Sequence, residues 1–275
     1  MNAIFSTIKG VLLSTIIIFN INAQPIKIKG SDTMLPMMQL QVEAFMKRNG
    51  ADINVTGGGS GTGITALLDG SVDLAMSSRD LKLAEKLKFE EKKTGLKVLQ
   101  IASDALSIIV HPDNPVSQLT REQLEGIFTG KINNWKEVGG PDMRIIVYTR
   151  ESSSGTFEFM KEHVMGKKEF AKDAISTSAT AQIVYAVGQN KGAIGYVGLA
   201  YVENIVKAVS VSYDGGQKYI SPTFNNAFKG IYPITRPLYI MYASASETKV
   251  KPFVDFVLSI YGQKLVTHKG YIPLK

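Results

Sequence analysis

Ile53-Asn-Val-Thr-Gly-Gly-Gly-Ser-Gly-Thr-Gly-Ile-Thr-Ala-Leu-Leu68 runs from a short β-type segment, through a cluster of glycines, into a segment of helical spacing. Ile53 and Val55 alternate with a polar residue, whereas Ile64, Leu67 and Leu68 supply one face of a short helix that ends at Asp69-Gly70. The same order lies on either side. Upstream, Ile26-Lys27-Ile28 alternates into Gly30-Ser31, and Leu35, Met38, Val42, Phe45 and Met46 then recur at helical spacing up to Asn49-Gly50. Downstream come a buried strand at Val72–Met76, a Lys/Glu-rich solvated helix over 81–94, and strands at Val98–Ile101 and Leu106–Val110. This βαβαβ order predicts an α/β fold with a mostly parallel sheet and helices on both faces.

The order restarts after the turn His111-Pro-Asp-Asn-Pro115. Helices are expected over 120–128, from Phe157 through Met160 to Val164, over 180–189 and from Val250 onward. Strands are expected at Arg144–Tyr148 and Ala193–Val197, a loop over Thr129–Pro141 around Trp135, and β-rich sequence over 206–242. Two α/β lobes follow, with strands near 105–110 and 195–210 passing between them.

Composition narrows the class. Of 275 residues, 44% are hydrophobic and 20% charged, with 25 Gly and no Cys, which excludes a disordered chain, collagen, a disulfide scaffold and a thiolate metal site. The net charge of +7 is spread out. Its densest run, Lys92-Lys93, adjoins Glu90-Glu91, so no basic stripe exists to follow a nucleic-acid backbone. Residues 1–23 stand apart: Lys9 is their one charge, and the apolar run Val11–Ile21 precedes Asn22-Ala23-Gln24-Pro25. This reads as a secretory signal cleaved between Ala23 and Gln24, because the run falls short of the ~20 apolar residues that a membrane span needs. The expected product is unlipidated, free of cysteine and periplasmic.

Three polar segments sit between a strand and a helix: Gly30-Ser31-Asp32-Thr33, Gly57–Gly63, and Arg150–Thr156. The triplet Ser-Gly-Thr at 60–62 returns at 154–156, once per expected lobe. A helix start leaves up to four N–H groups unpaired and carries partial positive charge, so it suits an anion, and Arg150 adds a charge-assisted fork. The competing reading is ordinary N-capping, worth ~1 kcal/mol each, and it is strongest for Ser31. Enzyme motifs are missing: no Lys follows the glycine cluster as a P-loop requires, no Gly-x-Ser-x-Gly surrounds Ser60 or Ser154, and His111, His163 and His268 lack metal spacing. Catalytic residues, metals and cofactors are therefore not expected.

These segments resemble the periplasmic phosphate-binding proteins, the substrate-binding components of phosphate ABC transporters. The resemblance covers the mature chain. It rests on Lys29-Gly-Ser-Asp-Thr-Met34, the glycine cluster, Val72–Arg79, Gly126-Ile-Phe-Thr-Gly-Lys-Ile-Asn-Asn-Trp135, Arg150–Thr156 and Gly192–Tyr196. It implies a two-lobed type II periplasmic-binding fold with two crossing strands. Lobe I would span 24–107 plus 205–275 and lobe II 108–204. It further implies one dehydrated phosphate in the cleft and delivery by a monomer to an inner-membrane permease, without nucleic acid. The implied ligand set is Ser31, Asp32, Thr33 and the backbone of Met34 from the first loop, Ser60, Ser78, and Arg150, Ser154, Gly155 and Thr156 from the second lobe. One departure stands out. Where better-known members place an aspartate that accepts the phosphate proton, this chain has Ser78, so either Asp32 or Asp80 is expected to take that role, or discrimination is weaker. Another tetrahedral oxyanion, such as sulfate or molybdate, a secreted phosphatase activity and a phosphate-sensing role are the competing readings.

Overall fold

The computed structural model describes residues 24–274, and the secretory signal expected at 1–23 lies outside them. Alternation buries Ile26 and Ile28 on one side of β1 (Ile26–Gly30). This strand pairs in parallel with β2 (Ile53–Thr56) and β3 (Leu74–Ser77). Helix α1 (Leu35–Asn49) joins β1 to β2, with Pro36 in its first turn, and buries Met37, Met38, Val42 and Phe45. Helix α2 (Ser60–Leu68) joins β2 to β3 and lies directly on β1: a methyl at Gly63 would stand 2.5 Å from the Lys29 carbonyl oxygen. Helix α3 (Leu83–Glu91) is shorter than the spacing predicted and buries only Phe89.

The two strands expected at 98–101 and 106–110 are one continuous strand, β4 (Lys97–Val110). Ala102-Ser-Asp-Ala105 has little β-propensity, and pairing with a distant strand overrides it. That partner is β10 (Thr235–Tyr242), antiparallel to both β4 and β3. Between them lie β5 (Gln118–Thr120), α4 (Arg121–Phe128), β6 (Ile146–Arg150), α5 (Gly155–His163), β7 (Ile175–Thr177), α6 (Thr180–Gln189), β8 (Ala193–Gly198), β9 (Lys207–Ser212) and α7 (Phe224–Phe228). The chain closes with α8 (Glu247–Leu258) and α9 (Ile260–His268). Among the described residues the main strand order is β2-β1-β3-β10-β4-β8-β6-β7, with β9 beside β4 and β5.

Two large hydrophobic cores flank this sheet. One gathers β1, α1, β10 and α8 through Ile28, Met38, Phe45, Leu238 and Phe253. The other gathers α4, α5, β8 and β9 through Phe128, Trp135, Met160, Tyr196 and Val209. Strand β4 serves both, giving Ile101 and Ala102 to the first and Ala105, Leu106 and Ile108 to the second. This is the two-lobed α/β architecture anticipated from the sequence. The segment expected to cross at 195–210 touches the first core at Ala200, but Val209 and Val211 of β9 pack in the second core, as do Tyr232 and Ile234. The return to the first core runs through β10. We therefore propose that the lobes divide near Asp104 and again near Arg236, not at residue 205.

Replacing Gly63 with Ala pushes α2 off β1. The expected outcome is a loss of about 1–3 kcal/mol, read as a lower urea midpoint at unchanged m-value; a midpoint equal to wild type would contradict the close approach.

Candidate functional site

The three polar segments meet where the halves face each other. The loop after β1 enters a single 3-10 turn at Asp32–Met34, with all three residues buried. Ser31 donates its N–H to Met76 O (3.0 Å), and its side chain makes no capping bond. Met34 donates its N–H to Ser31 O (3.1 Å) and sends its side chain into the first core. Both shape the loop, and the Met34 N–H expected to face a ligand is already engaged.

Asp32 lies against Arg150. Its Oδ2 accepts from the Arg150 guanidinium at 2.6 Å and its Oδ1 from the Gly58 N–H at 3.2 Å. Arg150, buried at the end of β6, also donates to Thr180 Oγ1 and Ser178 O at 2.7 Å each, while its Nε has no partner among the described residues. The end of β6 is braced by Tyr196, whose hydroxyl stands 2.6 Å from Thr149 Oγ1; burial pushes that phenol up to about 12. Tyr201, likewise raised by burial, donates to Asp32 O, and Tyr271 donates to Thr33 O, both at 2.5 Å.

The remaining expected residues converge from both sides. Ser60 opens α2, and its Oγ accepts the Ser78 N–H at 3.1 Å, with the Ser78 hydroxyl 3.4 Å away. Ser154 caps α5: its Oγ accepts the N–H groups of Thr156 (3.2 Å) and Phe157 (3.4 Å), so the capping reading holds for it. Gly155 follows so closely on Ser60 that a methyl there would lie 2.3 Å from Ser60 Oγ and 2.7 Å from Ser78 Oγ. Thr156 Oγ1 stands 2.9 Å from Thr33 Oγ1, and Gly61 donates to Ser153 O at 2.9 Å. Hydroxyls, two helix starts and the Arg150 guanidinium thus meet in one buried place, an arrangement that can surround a small oxyanion with donors.

Two residues of this place escape a reading by segments. Arg236 of β10 and Asp104 of β4 are fully buried cross-strand neighbours. Arg236 donates to Asp104 Oδ2 through Nε (3.2 Å) and a terminal nitrogen (2.9 Å), and reaches Thr33 Oγ1 at 3.2 Å. Burial pushes the Asp104 carboxyl up and the guanidinium of Arg236 down, each against the pull of the other's charge. The available signal was a charge inside an apolar stretch of each of two strands, since a buried charge requires a partner.

At the rim, Arg79 forks onto Glu85 at 2.8 and 2.7 Å. Asp80 is exposed and does not cap α3, whose N-cap is Lys82; Glu85 accepts the Lys82 N–H at 2.8 Å. Lys82 in turn reaches Glu158 of α5 at 2.7 Å, across the two halves. The three histidines lie apart, with His163 stacked on Phe159 at 4.2 Å, and no metal-holding cluster occurs among the described residues.

A fold with two cores sharing crossing strands, and a donor-lined place between them, defines a two-lobed binding protein. The family model for the PBP superfamily domain matches residues 20–260. Over 264 residues, 89% of this chain and 81% of the relative, the sequence is 32% identical to the phosphate-binding protein PstS of Pseudomonas aeruginosa. The structure is similar to that of a Clostridium perfringens protein assigned as a phosphate ABC transporter substrate-binding protein and solved with bound phosphate (TM-score 0.84, 36% identity, 91% of this chain and 100% of that one). It is also similar to an ABC-type phosphate transport receptor from Vibrio cholerae (TM-score 0.73, 34% identity, 91% and 100%). The chain belongs to the PBP superfamily and, within it, to the family of the phosphate-binding protein PstS.

Two outcomes are expected of this geometry. Gly155→Ala holds the halves apart and weakens oxyanion binding at least tenfold in a calorimetric titration, with little change in far-UV circular dichroism. For Glu85, burial raises the carboxyl, but the Arg79 fork and the Lys82 N–H outweigh it and hold it below 4.5. Its stabilisation is then complete above the unfolded value and fades as pH falls through the folded one. Glu85→Gln is expected to be less stable than wild type at pH 7 by about 1–2 kcal/mol and to show a shallower loss between pH 6 and 3 in denaturant titrations.

Proposed function

We propose that the chain captures inorganic phosphate outside the cytoplasm, between its two lobes, and delivers it to an ABC-type permease without chemical turnover. The single observation that carries this reading is the convergence of Thr33, Ser60 and Ser78 from one side with Arg150, Ser154, Gly155 and Thr156 from the other. A ligand touching both sets stabilises the closed arrangement, and a permease that recognises that arrangement takes up loaded protein selectively. The lobes also carry their own closing contacts, Asp32–Arg150 and Lys82–Glu158. Secretion by cleavage between Ala23 and Gln24 into the periplasm, and action as a monomer, belong to the same proposal.

Asp32 gives this site its discrimination. Its carboxylate already accepts from Arg150 and Gly58, and an ionised carboxylate has lone pairs for a further donor. Hydrogen phosphate brings a proton to share, whereas sulfate at neutral pH brings none and meets like charge. Ser78, donor or acceptor at need, fits either anion, so the role assigned elsewhere in the family to an aspartate at that position moves to Asp32.

Equilibrium titration tests both points. Wild-type protein is expected to bind one phosphate per chain, reject sulfate, and release no product from a chromogenic phosphate ester. Arg150→Ala is expected to lose at least a hundredfold in phosphate affinity, since it also strands Asp32. Asp32→Ala should narrow the phosphate-over-sulfate preference at least tenfold; unchanged selectivity removes Asp32 from the role, and hydrolysis of the ester would make the protein an enzyme.

A further inference from the structure

Thr33 and Thr156 face each other across the cleft at 2.9 Å, and a hydroxyl pair of this kind can point its hydrogens either way. The environment of Thr33 biases that choice. Arg236 has no acceptor atom, so its terminal nitrogen at 3.2 Å must donate into Thr33 Oγ1. The positive charge of the guanidinium then favours the arrangement in which the Thr33 hydrogen points away from it, toward Thr156 Oγ1. Thr156, accepting there, turns its own hydrogen outward in the same sense.

Arg236 is held for this purpose from several sides. Asp104 takes two of its donors, Ser78 O lies 3.5 Å from another, and the guanidinium sits 5.5 Å from the Phe159 ring centre. The Thr33 backbone is fixed by Tyr271 and the preceding carbonyl by Tyr201, so neither end of the Arg236–Thr33 bond is free to drift. Asp104 compensates the charge, leaving the direction of the hydrogen bond as what Arg236 contributes.

We propose that Arg236 is a positioning residue that polarises an Arg236–Thr33–Thr156 relay, so that this corner of the closed site offers the ligand the Thr156 hydroxyl as a donor. The proposal rests on the phosphate-binding reading above and adds an orientation to it. An unprotonated oxygen of the anion is directed to Thr156, and the protonated one is left for Asp32. Arg236 acts through Thr33 and need not touch the ligand.

The test is a double-mutant comparison by calorimetry with inorganic phosphate on the full mature chain. The variants are Asp104→Asn with Arg236→Met (removing the charge pair together), Thr33→Val, and all three combined. The paired change is expected to weaken phosphate about tenfold when Thr33 is present and no more than about twofold when it is Val. Equal factors in both backgrounds, or no effect in either, overturn the proposal. If the paired variant does not fold, Arg236→Lys replaces it. Lysine keeps a donor to Thr33, so the expected result is affinity within about threefold of wild type, and a tenfold loss independent of Thr33 overturns the relay. Wild-type protein that gives no heat with phosphate overturns the phosphate reading together with this one, whereas wild-type binding with equal factors overturns this one alone.

Discussion

The removal of two guanidinium groups from water, at the place where the halves of the molecule meet, sets the terms for everything around it. An unpaired buried charge costs several kcal/mol, and a pair recovers that only with good geometry and further hydrogen bonds. Arg150 and Arg236 satisfy this with Asp32 at 2.6 Å and Asp104 at 2.9 Å. The partners come from chain segments 118 and 132 residues away. The loop after β1 must therefore reach the end of β6, and β10 must lie beside β4 in register. The strand order, with β10 inserted between β3 and β4, is what brings these four side chains together.

With each cation matched by an anion, the centre of the site carries no large net charge. Selectivity then depends on which donors and acceptors stand at which corner, not on simple attraction. The helix starts at Ser60 and Gly155 contribute partial charge with no counter-ion to displace. Ser154 shows that capping and site-building need not compete: the oxygen that caps α5 also fixes the N–H groups beside it.

The two-lobed α/β fold, and the corners that meet in the candidate site, are legible in the sequence for a physical reason. Strand, glycine-rich corner and helix each have their own local signature, and Ser60, Arg150 and Thr156 lie on such corners. What it concealed depended on pairing across long separations. Asp104 interrupts an apolar run and so suggests a break between two strands, yet β10 holds the run together as one. Arg236 lies in a β-rich stretch with no corner to mark it. Nothing local to Val206–Ser212 tells which half it belongs to; its pairing with β4 and its place in the second core assign it. Asp80 directly precedes the helix expected over 81–94, but Glu85 reaches back to Lys82 and sets the helix start there.

Strand β4 belongs to both cores, and its long neighbour β10 is supplied by the last sixth of the chain. Neither core can be finished while that segment is missing, because Leu238 and Ile240 fill one and the Arg236 pair anchors the seam with the other. Assembly is therefore governed by contacts of high sequence separation, which close slowly. A nascent chain stays open until its C-terminal end arrives, and a nearly complete chain has no half that is a finished fold in its own right.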